Sequence, residues 1–327
     1  MTSRRRFLAG ALALASAPLA AQDKPAVRVY RIGMLESVPL AANQENMAEF
    51  QRGLREAGYV VGQNAELLYR ASDGRSDRFS ALAAELVEAR VDVLVTRGTP
   101  ATIAARKKGA GRVPVITTAV ADPVETKLVK SLEAPGGMVT GLTSSTSELG
   151  PKRLELLKAL APSLKRVGAI MNLGNPAAVA NWKVIEGAAP ALNLQVRAID
   201  ARKPEDIVPG LQAALKDGVQ GLIVGIETLV AYRGTVIKIA AQHRLPAVYS
   251  AREFVEAGGL MSYGVSYPNL YYRAAGYIDK VLKGAKPGTL AMEPPSKFEL
   301  VIHRKTAWDL KLAIPPDLLL RSDKIVG

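Results

Sequence analysis

Polar residues gathered at the ends of apolar segments set the chemistry open to this chain. Glu36-Ser37 follows the apolar run 29–35, Arg97-Gly98-Thr99-Pro100 follows 91–96, and Asp122 lies just beyond 113–118. In the second half, Asn172 and Asn175 follow 166–171, Glu227-Thr228 follows 219–224, and Tyr249-Ser250 closes 246–249. Hydroxyls, amides and single charges at such places suit recognition of a small polar molecule. Gly98 lets a ligand approach the backbone, and the Thr99 hydroxyl at a helix start suits a carboxylate or another anion; the same residues also make a plain helix cap. Asp122 can pair with a ligand ammonium or cap a helix before Pro123, and Asn175 reads as a cap first and a contact second. Tyr263 can stack on a ligand or pack a hinge.

Signals for bond-making chemistry are weak. The two histidines, His243 and His303, fall at a helix end and after a late strand, where surface or cap roles account for them. There is no Gly-x-Ser-x-Gly elbow, no metal-ligand cluster and no Gly-rich phosphate loop. The chain has no cysteine, which excludes disulfides, thiolate nucleophiles and a lipidated N-terminal Cys. No cofactor is called for. Aromatic residues make up only 5%, and the Lys and Arg behind the net charge of +13 are scattered among acids, so no nucleic-acid partner is expected.

The elements that must position these residues alternate. Apolar runs of strand type at 29–35, 65–70, 91–96 and 113–118 are separated by helical stretches at 43–57, 76–87, 100–108 and 123–132. Pro135-Gly136-Gly137 marks a turn, and 139–142 reads as an extended crossing. The pattern restarts with helices at 149–160, 176–188, 204–216 and 229–243 around strands at 166–171, 194–199, 219–224 and 246–249. Such alternation, with near-continuous apolar strands, predicts parallel sheets covered on both faces. The fold class is therefore α/β, as two doubly wound parallel-sheet lobes. A second extended crossing is read at 258–263, a helix at 268–282, a connector near Pro294-Pro295 and a last strand at 298–302. Three crossings thus join the lobes, with residues 28–143 plus 262–290 in lobe 1 and 144–261 plus 291–327 in lobe 2. Ser144 falls just past the first crossing. In open parallel sheets ligands bind beyond the carboxyl ends of the strands, which singles out the residues above.

The first residues read as an export signal over 1–21. Arg4-Arg5-Arg6 is followed by Phe7-Leu8, an Ala-rich apolar stretch and small residues to Ala21. Ser3-Arg4-Arg5-Arg6-Phe7-Leu8 looks like a twin-arginine motif, which a receptor reads; an ordinary Sec signal with three basic residues is the other reading. The apolar stretch is about half of the roughly 20 residues that span a bilayer.

Several independent blocks resemble the ABC-transporter substrate-binding family that includes tryptophan- and tyrosine-binding lipoproteins. They include Phe50-Gln51-Arg52-Gly53-Leu54-Arg55-Glu56-Ala57-Gly58-Tyr59, Gly98-Thr99-Pro100-Ala101, Asp122-Pro123-Val124, Lys152-Arg153-Leu154-Glu155-Leu156-Leu157 and the stretch from Arg252 to Gly264. The resemblance implies a type I periplasmic-binding-protein fold, with Gly98, Thr99 and Asp122 facing the ligand, then Asn172 and Asn175, and Glu227 on a loop that sets specificity. It implies a monomeric periplasmic receptor that captures a small molecule and delivers it to an ABC permease. The ligand expected is an amino acid, with aromatic ones included, or a small organic carboxylate. A soluble sensor serving a separate signalling receptor is the alternative. The members from Gram-positive bacteria are anchored through a Cys; without one, a free periplasmic protein is expected here.

Overall fold

A computed structural model describes residues 28–144, 149–225 and 227–327, with the side chains of Glu227 and Thr228 left out. The expected export signal at 1–21 lies outside the described residues. The first sheet has strands β1 (Tyr30–Glu36), β2 (Ala65–Ala71), β3 (Val93–Arg97), β4 (Val115–Val120) and β5 (Val139–Thr143), all parallel in the order β2-β1-β3-β4-β5. Helices α1 (Gln44–Glu56), α2 (Phe79–Glu88) and α3 (Thr99–Gly109) connect them. β3 and β4 are buried at every position, as strands covered on both faces must be.

The second sheet is built on β6 (Arg166–Met171), β7 (Gln195–Asp200), β8 (Gly221–Val224), β9 (Ala247–Tyr249), β10 (Met261–Val265), β11 (Phe298–His303) and β12 (Lys324–Val326). The order is β12-β11-β10-β9-β8-β6-β7, and only β10 and β11 pair antiparallel. Around it lie α4 (Leu149–Leu160), α5 (Pro176–Ala188), α6 (Pro204–Lys216), α7 (Arg233–Gln242) and α8 (Arg252–Glu256). The chain then returns to the first lobe as α9 (Tyr267–Leu282), and ends on the second with α10 (Arg304–Asp309) and α11 (Pro316–Arg321).

Three crossings are present, at positions that differ in detail from the expected ones. Residues 139–142 are not the crossing itself but edge strand β5, and the chain leaves at Ser144. Residues 262–265, expected in lobe 1, pair as β10 with β9 and β11 in the second sheet, so that crossing falls at Ser266. Met292 and Glu293 still belong to the first lobe: Glu293 N–H donates to Gly141 O (3.0 Å), and Thr143 N–H to Glu293 O (2.9 Å). The third crossing therefore begins at Pro294.

The predicted helix over 123–132 is replaced by successive turns. Asp122 (φ 43°) and Lys127 (φ 57°) adopt left-handed backbone, which a right-handed helix cannot contain. The carbonyl of Pro123 collects the N–H groups of both Leu128 and Val129, which brings those two side chains into the first lobe's core.

Candidate ligand-binding site

Each sheet reverses its winding once, and a crevice opens at the carboxyl ends of the strands there. In the first sheet the switch lies between β1 and β3, in the second between β6 and β8. The two switch points face each other across the cleft, and they are filled differently.

The first is packed with protein. Glu36, at the end of β1, is fully buried and accepts a hydrogen bond from Tyr271 Oη (2.7 Å). Burial pushes its carboxyl up to about 7, against the weaker opposing influence of Arg97 and the Tyr271 hydroxyl. Arg97, at the end of β3, crosses to the other lobe. Its Nη2 lies 2.9 Å from Glu253 Oε1 on α8, and its guanidinium sits 3.9 Å from the ring centre of Tyr267. Burial works against the charge of Glu253, yet Arg97 beside it holds the carboxyl below its ordinary range. Further contacts join the lobes: Asn46 Nδ2 donates to Glu253 Oε1 (3.4 Å), Asn172 Nδ2 to Ser76 Oγ (3.1 Å), and Tyr232 Oη to Asp73 O; Arg75 pairs with Glu205 and Arg252 with Glu45. The lobes are closed on each other.

The second switch point holds a cavity that opens to solvent at its mouth. Its floor is the ends of β6, β8 and β9, at Met171-Asn172, Gly225 and Ser250. One wall is α4, through Leu149 and Arg153; another is the start of α5, through Asn175, Ala177 and Asn181. Ser144, Val265 and Tyr267 close it from two of the crossings. Any ligand held here therefore touches the segments about which the lobes turn.

Of the expected site residues, Ser144, Asn172 and Asn175 meet in this cavity. Asn175 caps α5, its Oδ1 accepting from Ala177 N–H (3.1 Å), and Asn172 Oδ1 accepts from Gly174 N–H (2.9 Å). The side chain of Glu227 lies outside the described residues, although its backbone follows Gly225 closely at the end of β8.

The others lie elsewhere. Ser37, Gly98 and Thr99 are at the first switch point and do not line the cavity. Gly98 takes φ 88°, open to glycine, as it turns the chain into α3, and the buried Thr99 hydroxyl lies 3.3 Å from both the N and the O of Ala121. Asp122 is half-buried beside Pro123 and Thr143 in a separate depression of the first lobe. With the following helix gone its cap role lapses, and its carbonyl instead accepts from Thr126 N–H and Oγ1 (both 2.9 Å). Tyr249 points away from the cleft and stacks on Phe254 at 4.8 Å. Alternation along β9 sends Tyr249 to the far face and leaves Ser250 at the site. Tyr263 likewise packs near Phe298 (6.5 Å between ring centres), and only its carbonyl reaches the site region, accepting from Arg153 Nε (2.8 Å). His303 is a cap: its Nδ1 accepts from Thr306 N–H (3.2 Å).

Arg153 and Asn181 are cavity residues that the sequence reading missed, and Ser250, read there as a strand-end residue, was passed over in favour of its neighbour Tyr249. A signal existed for the first two. Arg153 falls in register with Leu149 and Leu157 on the apolar face of α4, and Asn181 with Ala177 and Ile185 on that of α5. A polar residue amid such a stripe marks a polar feature buried beneath it.

Two doubly wound lobes joined by three crossings, with a cavity at the hinge, define the type I periplasmic-binding-protein class. A family model described as ABC transporter substrate binding protein matches residues 31–326, and the chain belongs to that family. It is 27% identical over 276 residues to a tyrosine-binding protein of Clostridioides difficile, covering 84% of this chain and 79% of the relative. Among solved structures, it is similar to the ABC domain of Streptococcus pneumonia in complex with L-Trp, with 27% identity, a TM-score of 0.82, and coverage of 91% and 100% of the two chains. A conserved domain protein of Vibrio cholerae gives 28% identity, a TM-score of 0.83 and the same coverage. Family membership makes this chain a ligand-binding protein rather than an enzyme.

Proposed function

We propose that this protein is the periplasmic solute receptor of an ABC importer. It holds an amino acid or a small organic carboxylate in the cavity at the end of β6 and hands it to a membrane permease. The observation that carries this is the cavity itself: it lies at the winding reversal of the second sheet, is walled by two crossings, and is lined by two buried polar atoms, Asn181 Oδ1 and Ser250 Oγ, that find no hydrogen-bond partner among the described residues. The tyrosine-binding relative and the L-Trp complex support an aromatic amino acid as the first ligand to try. Ser144, Asn172 and Asn175 serve as ligand contacts, and Glu227, following Gly225, selects among ligands. Export through the twin-arginine-like segment at 1–21 places the receptor outside the inner membrane.

The mechanism is closure by population shift. A ligand seated against α4 and α5 also touches Ser144 and Tyr267, so it binds better when the crossings hold the lobes together. The closed form is then what the permease meets. Mass spectrometry of small molecules retained through native purification, followed by calorimetric titration with L-tryptophan, L-tyrosine and their deaminated acids, tests this. A retained small molecule that rebinds with one-to-one stoichiometry is expected. An empty protein that binds neither the panel nor any component of a small-molecule extract of cells defeats the proposal.

A further inference from the structure

The polar groups on the cavity wall are unequally satisfied. Asn172 and Asn175 spend their side chains on local backbone and on Ser76. Three others do not. Arg153 is 4% exposed, and its Nε donates to Tyr263 O, but among the described residues no carboxylate pairs with it. Ser250 Oγ and Asn181 Oδ1 are buried with no hydrogen-bond partner among the described residues, in side chains whose residues are 5% and 9% exposed. All three line the same cavity.

A buried cation without a counter-charge is costly, and removing one partner of a buried pair is among the most damaging changes a protein can suffer. Burial here pulls the Arg153 guanidinium down to about 10, with Tyr267 and Tyr263 acting the other way. A planar guanidinium matches a carboxylate through two parallel hydrogen bonds. The same cavity also has an apolar part, formed by Leu149, Met171 and Val265, that can take the uncharged remainder of a ligand. One guanidinium balances one unit of charge, which fits a monocarboxylate better than a phosphate group of nearly two.

We infer that Arg153 is the anion anchor of the site: its Nη groups receive the carboxylate of a monocarboxylic ligand, and Ser250 and Asn181 complete the polar wall around that ligand. The inference rests on the cavity being the ligand site, as proposed above. It also ties charge to closure. Arg153 Nε holds the carbonyl of Tyr263 on β10, shortly before the Ser266 crossing, so the ligand's carboxylate is neutralised beside the hinge.

The test uses the full chain, refolded to remove any retained molecule, and acids each paired with its own primary amide. L-tryptophan, L-tyrosine, indole-3-propionate, 3-phenylpropionate and isovalerate are titrated calorimetrically against the matching amides. At least one acid is expected to bind about 10- to 100-fold more tightly than its amide, the range of a hydrogen-bonded charge. Arg153→Gln is expected to erase that preference, and Arg153→Lys, which keeps the charge but loses the fork, to retain it at weaker affinity. Circular dichroism reports whether each variant folds; if Arg153→Gln does not, the acid–amide comparison on the unaltered protein and on Arg153→Lys carries the test. Equal binding of acid and amide, binding by none of the acids, or an intact preference in folded Arg153→Gln overturns the assignment. A neutral or purely cationic ligand in the cavity would remove the role of Arg153 and leave the receptor reading standing; no ligand of any kind would remove both.

Discussion

Glu36 carries a cost that its pH dependence exposes. The carboxyl titrates near 7 in the folded protein against an ordinary value of 4.5, because burial disfavours its charged form. Between those values the folded state binds more protons than the unfolded one, so stability falls as pH rises through the window. Below it both states are protonated and nothing is lost. Above it the full difference applies, about 3 kcal/mol at about 1.4 kcal/mol per pH unit. Gln in its place still accepts from Tyr271 Oη and never ionises. Urea unfolding should therefore find Glu36→Gln close to the unaltered protein at pH 4.5 and more stable by about 3 kcal/mol at pH 8. Parallel pH profiles for the two proteins would refute the assignment. At this scale the strand-end rule pointed to the loops after β6, β8 and β9 that line the cavity and equally to first-lobe loops that do not, and it could not orient side chains within them. Tyr249 and Ser250 are neighbours, and one position along a strand separates core from cavity.

Among the elements, α1 and α9 pack closely, and Gly53 permits it. A Cβ at Gly53 would lie 2.5 Å from Tyr272 O and 2.9 Å from the Cβ of Ala275, with little room to yield because one neighbour is backbone. Phe50 and Tyr271 meet edge-to-face beside it at 6.4 Å. Helix propensity alone favours Ala over Gly by about 1 kcal/mol. Overpacking at a rigid contact costs about 1–3 kcal/mol, so Gly53→Ala should be net destabilising, by up to about 2 kcal/mol, read as a lowered denaturation midpoint. Stabilisation instead would mean the helices can part freely. The strand–helix alternation was legible because each lobe is built of local β-α units. The membership of β10 in the second sheet was not, since it depends on pairing with β9 and β11, the latter from far along the chain. The turns at 123–132 hid behind an amphipathic pattern, because the left-handed residues that break it, Asp122 and Lys127, are not glycines.

For the whole molecule, the question is what keeps the lobes together. The Arg97–Glu253 pair is the best-buried ionic link between them, with side chains 3% and 14% exposed, and Tyr267 under the guanidinium connects it to the ligand cavity. Among the described residues, the other interlobe ion pairs, Arg75–Glu205 and Arg252–Glu45, each include a carboxylate more than half exposed, so screening by solvent leaves them little weight. Removing the charge of Glu253 strands Arg97 in the closed cleft, a change of about 3–5 kcal/mol when a buried pair is broken. Opening restores Arg97 to water, so the penalty falls on the closed form and only weakly on folding. Glu253→Gln should therefore enlarge the radius of gyration measured by small-angle scattering without ligand and weaken ligand affinity, while leaving the unfolding midpoint of the lobes nearly unchanged. A saturating ligand should recover the compact form, because its binding energy competes directly with the opening. An unchanged radius together with a large loss of stability would show that Arg97 and Glu253 serve the folding of the lobes rather than the balance between open and closed.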